Sequence, residues 1–333
     1  MLVSYIWDVK NFLVIQTAFL GDVILATPLI SELNRIYPDA KIDVVVRKGN
    51  ESLLANNPKI NHVFVWNKND GKYKSLLDII KSIRKTKYDE VITLQRFTNA
   101  GLMTRLAKTK SRVGFDKNSF SKMYTITAPH SLEDGTHEVE RNLKLIAHHG
   151  AKTLIRPELF PSDDDREAIK EFTKKKYYCL APASVWETKK LPTSKWTELI
   201  EILIQKGEVK LIGGPSDYEL CADLQQEFPK GVHNLAGKLT LLQSAALMEG
   251  AEMNYVNDSG PLHIASAMNA PTRAFFCSTV PRFGFGPLAE DSKIIETKKK
   301  LDCRPCGYHG HKKCPLGHFD CGHTIEINKD TIK

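Results

Sequence analysis

The sequence predicts an α/β protein made of two doubly wound, parallel-sheet domains that face each other across a cleft. Three observations predict it. Apolar strand-like runs alternate with amphipathic helical runs from Phe12 to Phe276, the pattern of a parallel sheet covered by helices on both faces. The alternation lapses over residues 151–162, where Pro157 and Pro161 stand in a stretch of little periodicity, and then restarts. A chain of 333 residues also exceeds what one hydrophobic core ordinarily serves. The expected domains are residues 1–155 and 163–333, the second carrying a cysteine-rich tail at 303–321.

In the first half, Phe12 to Gln16 reads as a buried strand and Val23 to Ile36 as an amphipathic helix ended by Tyr37-Pro38-Asp39. Ile42 to Arg47 is a Val-rich strand and Val63 to Trp66 a short one. Tyr73 to Thr86 has helical periodicity. Val91 to Gln95 is a strand, Leu102 to Ala107 is helical, and His137 to His149 is a helix stopped by Gly150. In the second half, Asp163 to Lys175 carries acidic residues at its start and lysines at its end, as a helix dipole prefers. Strands follow at Tyr177 to Ala181, Val209 to Gly213, Met253 to Val256 and Thr272 to Phe276. Helices follow at Ser194 to Lys206, Ser216 to Phe228, Leu241 to Met248 and Pro261 to Met268. Two Rossmann-like halves result, with no sequence repeat between them.

Bulk composition narrows the function classes. Hydrophobic content of 42% and charged content of 26% are those of an ordinary soluble globular chain. No apolar run approaches the roughly 20 residues of a membrane-spanning helix. Residues 1–10 lack the basic start and apolar length of a secretory leader, which predicts a cytoplasmic protein. The net charge of +8 and pI of about 9.0 suit anionic partners such as nucleotide phosphates, an acidic glycolipid or an anionic membrane surface. No basic stripe interleaved with aromatics and no nucleic-acid-binding motif is present, so no nucleic-acid partner is expected. Neither a GxGxxG fingerprint nor a P-loop occurs, which argues against a classical NAD enzyme or a P-loop NTPase.

Two strand-to-helix turns carry the candidate chemistry. Asn257-Asp258-Ser259-Gly260-Pro261-Leu262-His263 joins a strand to a helix with Pro261 read as the first helical residue. Gly260 is then the expected N-cap, and Ser259 and Gly260 sit at a helix mouth whose free N–H groups bind phosphate. Asp258 is either a ligand for sugar hydroxyls or the carboxylate of an Asx-turn. His263 is either a phosphate donor or a satisfied helix-face histidine. The other turn, Gln16 to Asp22, places a lone carboxylate behind Gly21. Asp22 is either a general base or a plain helix N-cap. Ligands of open α/β sheets lie outside the carboxyl ends of the strands, and both turns are at such ends.

Two further turns are weaker signals. Thr188-Lys189-Lys190-Leu191-Pro192 puts a lysine where a diphosphate leaving group could be neutralised, or merely exposes loop lysines. Gly213-Gly214-Pro215-Ser216-Asp217 allows close backbone approach by a ligand or is simply a turn. In the tail, Cys303, Cys306, Cys314 and Cys321 are spaced C-x2-C-x7-C-x6-C among His309, His311, His318 and His323. Three states stand open: a structural zinc site, reduced thiols ordering a loop, or a disulfide.

Taken together, the chain resembles glycosyltransferase family 9, the ADP-heptose:lipopolysaccharide heptosyltransferase group. The carrying motifs are GDVILATPLISELNRIYPDAKIDVVV at 21–46, TKKLP at 188–192, LIGGP at 211–215 and NDSGPLHIASAMNAPT at 257–272. DEVITLQRFTNAGLMTRLAKTKSRVGFD at 89–116 and HEVERNL at 137–143 also match, and the tail at 303–321 is similar to one found in the heptosyltransferase II subgroup. The resemblance implies a GT-B fold and an inverting, metal-independent transfer of heptose from ADP-heptose to the lipopolysaccharide inner core. It implies that Asp22 is the base and Lys189 the partner of the leaving ADP. The donor site it implies comprises Ser184, Thr188, Gly214, Ser216, Asp217, Asp258, Ser259, Gly260, Pro261 and His263. The acceptor would be an anionic glycolipid, Kdo-lipid A or heptosylated core. It would be met by a protein peripheral at the inner face of the inner membrane, with Arg47, Lys48, Arg96 and Arg105 as contacts. No catalytic cofactor is implied. Leu191 stands where the family has Trp and Ser216 where it commonly has Glu; both bear on the identity of the donor. The alternatives are a family relative using another nucleotide sugar on another glycan, a GT-B nucleotide-sugar epimerase, and a nucleotide-binding module without turnover.

Overall fold

The computed structural model describes residues 9–328 and residue 331, so most of the expected extension at residues 1–10 lies outside the described residues. The chain forms two compact units, residues 1–131 with 139–155, and residues 132–138 with 156–333. The segment 132–138, which the sequence reading assigns to the first domain, departs from that reading. It is bonded into the second unit: the Glu138 N–H donates to Gly284 O at 2.8 Å, and His137 Nε2 lies 3.1 Å from Gly286 O.

The first unit contains β1 (Asn11–Ile15), α1 (Leu20–Ile24), α2 (Thr27–Ile36), β2 (Lys41–Arg47), β3 (His62–Trp66), α3 (Lys72–Ile83), β4 (Tyr88–Thr93), α4 (Thr98–Leu106), β5 (Thr109–Phe115) and β6 (Ile126–Ala128), and most of α5 (Glu138–Lys144). Its six strands lie in the order β3-β2-β1-β4-β5-β6, all parallel. The strand order reverses between β1 and β4. That is the switch point, where a crevice opens at the carboxyl ends.

The second unit adds α6 (Asp163–Ala168), β7 (Tyr177–Ala181), α7 (Thr193–Leu203), β8 (Glu208–Leu211), α8 (Tyr218–Glu227), β9 (Val232–Asn234), α9 (Leu241–Glu249), β10 (Asn254–Asn257), α10 (Gly260–Ala267), β11 (Thr272–Phe276), β12 (Ser292–Glu296) and α11 (Asp320–His323). Its order is β12-β11-β10-β7-β8-β9, again parallel, with the switch point between β7 and β10. Every residue of β7, β10 and β11 is buried, as central strands of a doubly covered sheet must be. Trp196 of α7 stacks edge-on to Phe275 of β11 at 5.3 Å in a core shared with Leu180, Leu211 and Tyr255.

The predicted helix 23–36 is two helices. Pro28 supplies no N–H and sits in the first turn of α2, so the ladder restarts there. The predicted helix 163–175 ends at Ala168, followed by one tight turn at 170–172. The sequence reading misses β5, β6, β9 and β12. These lie at or next to sheet edges, where solvent permits polar residues and blurs the apolar run; β12, for example, is largely exposed. Among the described residues no helix is long and apolar enough to cross a membrane.

Candidate active site

At the switch point of the first unit, β1 ends in the turn 16–19 and α1 begins at Leu20. Phe19 is the N-cap and Asp22 lies in the first turn, so the expectation that Asp22 itself could be the N-cap is corrected. Its carboxylate reaches back, and Oδ2 accepts the Phe19 N–H at 3.2 Å. That bond fixes the carboxylate over the positive end of α1. Arg47, the last residue of β2, places its guanidinium 4.8 Å over the Phe19 ring. Lys68, two residues past β3, sits over Trp66 at 4.7 Å and donates to Thr17 O at 3.4 Å. Burial first, and then the charge of Arg47, hold the Lys68 pKa below the usual lysine value. Lys68 escaped the sequence reading, though its place just after a strand was the available signal.

Lys48 follows Arg47, and Arg96 follows β4 by three residues, so both lie at this same edge. Arg105 does not. It is in the last turn of α4, which has by then carried the chain back to the amino ends of the strands, about 10 Å along the helix. There its Nε lies 3.1 Å from Met123 Sδ. The structure therefore separates Arg105 from the other three basic residues proposed as acceptor contacts.

At the switch point of the second unit, Asn257 ends β10 and is fully buried. Its side-chain amide donates to Pro182 O at 2.8 Å and lies near the carbonyls of Ala181 and Ala183. Its Oδ1 accepts the Leu191 N–H at 2.9 Å. One side chain thus holds both ends of the loop 182–191, which contains Ser184 and Lys189. Asn257 opens the motif 257–272, and only these bonds give it its role. Lys189 Nζ meets Asp258 Oδ2 at 2.7 Å, with side chains only 15% and 7% exposed. Thr279 Oγ1 donates to the same oxygen at 2.6 Å. Asp258 is therefore not the carboxylate of an Asx-turn but the centre of a buried Lys–Asp–Thr group. Thr279, three residues past β11, was also missed.

The N-cap of α10 is Ser259, with Gly260 and Pro261 the first two helical residues. This moves the expected cap by one residue, because Gly260 already adopts helical geometry. The helix mouth is at the expected place, beside Asp258. His263 is buried, and burial above all pushes its pKa down to about 3. A neutral imidazole can still donate one hydrogen bond. Its Nδ1 is buried and has no hydrogen-bond partner among the described residues.

Four other predicted donor residues are locally engaged. Thr188 is buried and its Oγ1 accepts from His311 N at 2.8 Å and Ser278 Oγ at 3.0 Å; it ties the loop to the tail and does not open toward a ligand. Asp217 caps its own turn, accepting Gly214 N–H at 2.8 Å and Ser216 Oγ at 3.2 Å. Gly214 and Ser216 are exposed at the end of β8. Gly213 has to be glycine, since a Cβ there would lie 2.8 Å from Asp217 Cβ.

Cys303, Cys306, Cys314 and Cys321 are free thiols that line one cavity with His318, Phe319 and Ser278. Burial raises the Cys321 pKa to about 11 and, with Cys314 and Cys303 nearby, lifts that of Cys306. They do not form the compact donor set that a structural zinc requires. Among the described residues, the set of metal-ligating atoms lying within 4.8 Å of one another is that of Glu90, His148 and His149. The tail's backbone is committed elsewhere: Cys306 N–H donates to Ser278 O at 2.8 Å, and Thr188 N–H to His311 O at 3.1 Å. The structure shows the four thiols unpaired around that one cavity.

Comparison with known proteins gives this arrangement its context. The profile of glycosyltransferase family 9 (heptosyltransferase) matches residues 76–317. Lipopolysaccharide heptosyltransferase 3 of Escherichia coli K12 is 31% identical over 285 residues, covering 78% of this chain and 80% of that protein. Lipopolysaccharide heptosyltransferase 2 of the same strain is 26% identical over 86% of this chain and 87% of its own. The solved structure of E. coli ADP-heptose LPS heptosyltransferase II superposes with a TM-score of 0.77 at 23% identity, covering 89% and 96% of the two chains. A family 9 glycosyltransferase from Veillonella parvula superposes at 0.79 over 86% of each chain, with 22% identity. The fold is GT-B, and the chain belongs to glycosyltransferase family 9, the heptosyltransferases of lipopolysaccharide biosynthesis.

Proposed function

We propose that the chain transfers heptose from ADP-heptose to an anionic inner-core acceptor, Kdo-lipid A or heptosylated core, with inversion and without a catalytic metal. The carrying observation is the buried Lys189–Asp258 pair beside the mouth of α10, at the switch point of the second unit. A diphosphate arriving there would meet the N–H groups of Ser259 and Gly260 at the mouth of α10 and draw Lys189 away from Asp258. Asp258, still held by Thr279, would then accept sugar hydroxyls, and a ligand group could complete the unpartnered His263 Nδ1. Lys189 stabilises charge on the departing ADP. Asp22 takes the proton as the acceptor oxygen attacks the anomeric carbon from the face opposite the leaving group; a single displacement of this kind inverts the configuration. Its position over the amino end of α1 favours the carboxylate form.

An E. coli heptosyltransferase solved with ADP and with ADP-2-deoxy-2-fluoro heptose supports an ADP-linked donor. Arg47, Lys48 and Arg96, joined by Lys68, support a phosphorylated acceptor. Phe19 and Phe97, 60% and 68% exposed, stand at the same edge. Basic and apolar groups together there support peripheral contact at the cytoplasmic face of the inner membrane.

The test is nucleotide release from ADP-, GDP-, UDP- and dTDP-sugars with and without Kdo-lipid A. ADP release from ADP-heptose only with acceptor present is the expected result. Acceptor-dependent release from another donor overturns the donor, and release without acceptor overturns the transfer.

A further inference from the structure

The geometry points to a divalent-cation site of the zinc class on Glu90, His148 and His149, toward the amino ends of the strands of the first sheet, away from the carboxyl ends where Asp22 lies. Glu90 is the third residue of β4, near its amino end, and is buried. His148 and His149 stand side by side in the tight turn 147–149 that Gly150 closes in a left-handed conformation. Both imidazoles aim Nε2 at one carboxylate: His149 Nε2 lies 2.9 Å from Oε1 and His148 Nε2 3.2 Å from Oε2. The ligand atoms of all three residues lie within 4.8 Å of one another. A tetrahedral zinc with bonds of about 2.0–2.1 Å has ligand–ligand edges of about 3.3 Å. The two Nε2–carboxylate distances already lie close to that edge. Two imidazoles and one carboxylate are the donor types zinc prefers over magnesium or calcium. The half-exposed side of His148 leaves a position for water.

The groups behind these ligands are also in place. Tyr37 Oη lies 3.0 Å from His149 Nδ1 and can accept from Nδ1–H, the tautomer that frees Nε2 for a metal. Tyr37 and Phe12 pack edge-on to the His149 ring at 5.4 and 5.8 Å. Ser111 stands opposite Glu90 on β5. The site is structural by position. It would join the start of β4 to residues 139–155, the segment by which the chain returns to the first unit. It takes no part in transfer, and it does not rest on the function proposed above.

The test is titration of the chelator-treated full-length protein with Co²⁺ and Zn²⁺, followed by absorbance, competition with a chromophoric chelator and thermal midpoint. The expected result is one equivalent of Co²⁺ bound with d–d bands and no sulfur-to-cobalt charge-transfer band, which distinguishes it from the tail cysteines. The thermal midpoint should rise with Zn²⁺. His148→Ala, on the exposed side, and Glu90→Gln should each weaken affinity at least ten-fold. Should Glu90→Gln fold poorly, His148→Ala decides alone. Absence of binding, binding only with a sulfur charge-transfer band, or unchanged affinity in His148→Ala each overturns the site.

Discussion

At Asp22, an amide keeps the shape of the side chain and its bond to the Phe19 N–H while removing the basicity. Asp22→Asn should lower the transfer rate by about 10²–10⁴-fold and leave donor affinity unchanged, as measured by steady-state rates and calorimetry. An equal loss of donor affinity would show that the residue acts on structure alone. Lys189 differs because its partner is buried. Lys189→Ala strands the Asp258 carboxylate, which should cost about 3–5 kcal/mol of stability. Lys189→Ala combined with Asp258→Asn should recover part of it. Urea denaturation of the two singles and the double reads this directly, and strict additivity would show that the pair does not couple.

Among elements, the loop 182–191 and the cysteine tail are held by very few side chains. Asn257 spans the loop with one amide, and Asn257→Ala leaves the Leu191 N–H and the Pro182 carbonyl without their partner. A loss of about 2 kcal/mol or more should accompany a raised KM for the donor, because Lys189 rides on that loop. A denaturation midpoint together with donor titration checks both. Thr188→Val keeps the volume but removes the acceptor for His311 N–H and Ser278 Oγ. Amide exchange should quicken over 303–318 while β7 and β10 stay protected. Unchanged exchange in the tail would show that Thr188 is not its anchor. The elements legible in the sequence are those whose burial is nearly complete: β1, β7 and β11 were read within a residue or two because most positions are apolar or small, Asn11 and Arg273 excepted. The edge strands β6, β9 and β12 were not, since solvent on one side relaxes the constraint that makes a strand visible.

For the molecule as a whole, each unit buries a neutral histidine. His130 is pushed down to about 4, chiefly by burial and then by Arg96 and Arg141, and His263 to about 3. Below the ordinary value of 6.5 the unfolded chain binds protons that the folded chain refuses, so stability falls as pH drops through that range. Glu208, held down to about 2 chiefly by Lys210, adds a loss that begins below 4.5. Urea midpoints should therefore decrease from about pH 6.5 downward, with a slope of about 1.4 kcal/mol per pH unit for each proton taken up. A midpoint that holds steady between pH 7 and pH 5 would contradict the burial of both histidines.

The sequence by itself determined the alternation of strands and helices and the two turns at strand ends. It also determined the family, because motifs such as 21–46 and 257–272 are local and backbone geometry follows from local pattern. Only the tertiary structure decided which side chains meet. Lys189 and Asp258 are 69 residues apart, and their contact depends on β7 lying beside β10. Thr279 joins them because β11 lies on the other side of β10. Arg105 drops out of the basic edge because a parallel sheet must return its helices to the opposite end. Glu90, His148 and His149 were not picked out by spacing, and the sheet order brings them together. Spacing along a chain constrains neighbours on one element, and a metal or substrate site is set by which elements the sheet order places side by side.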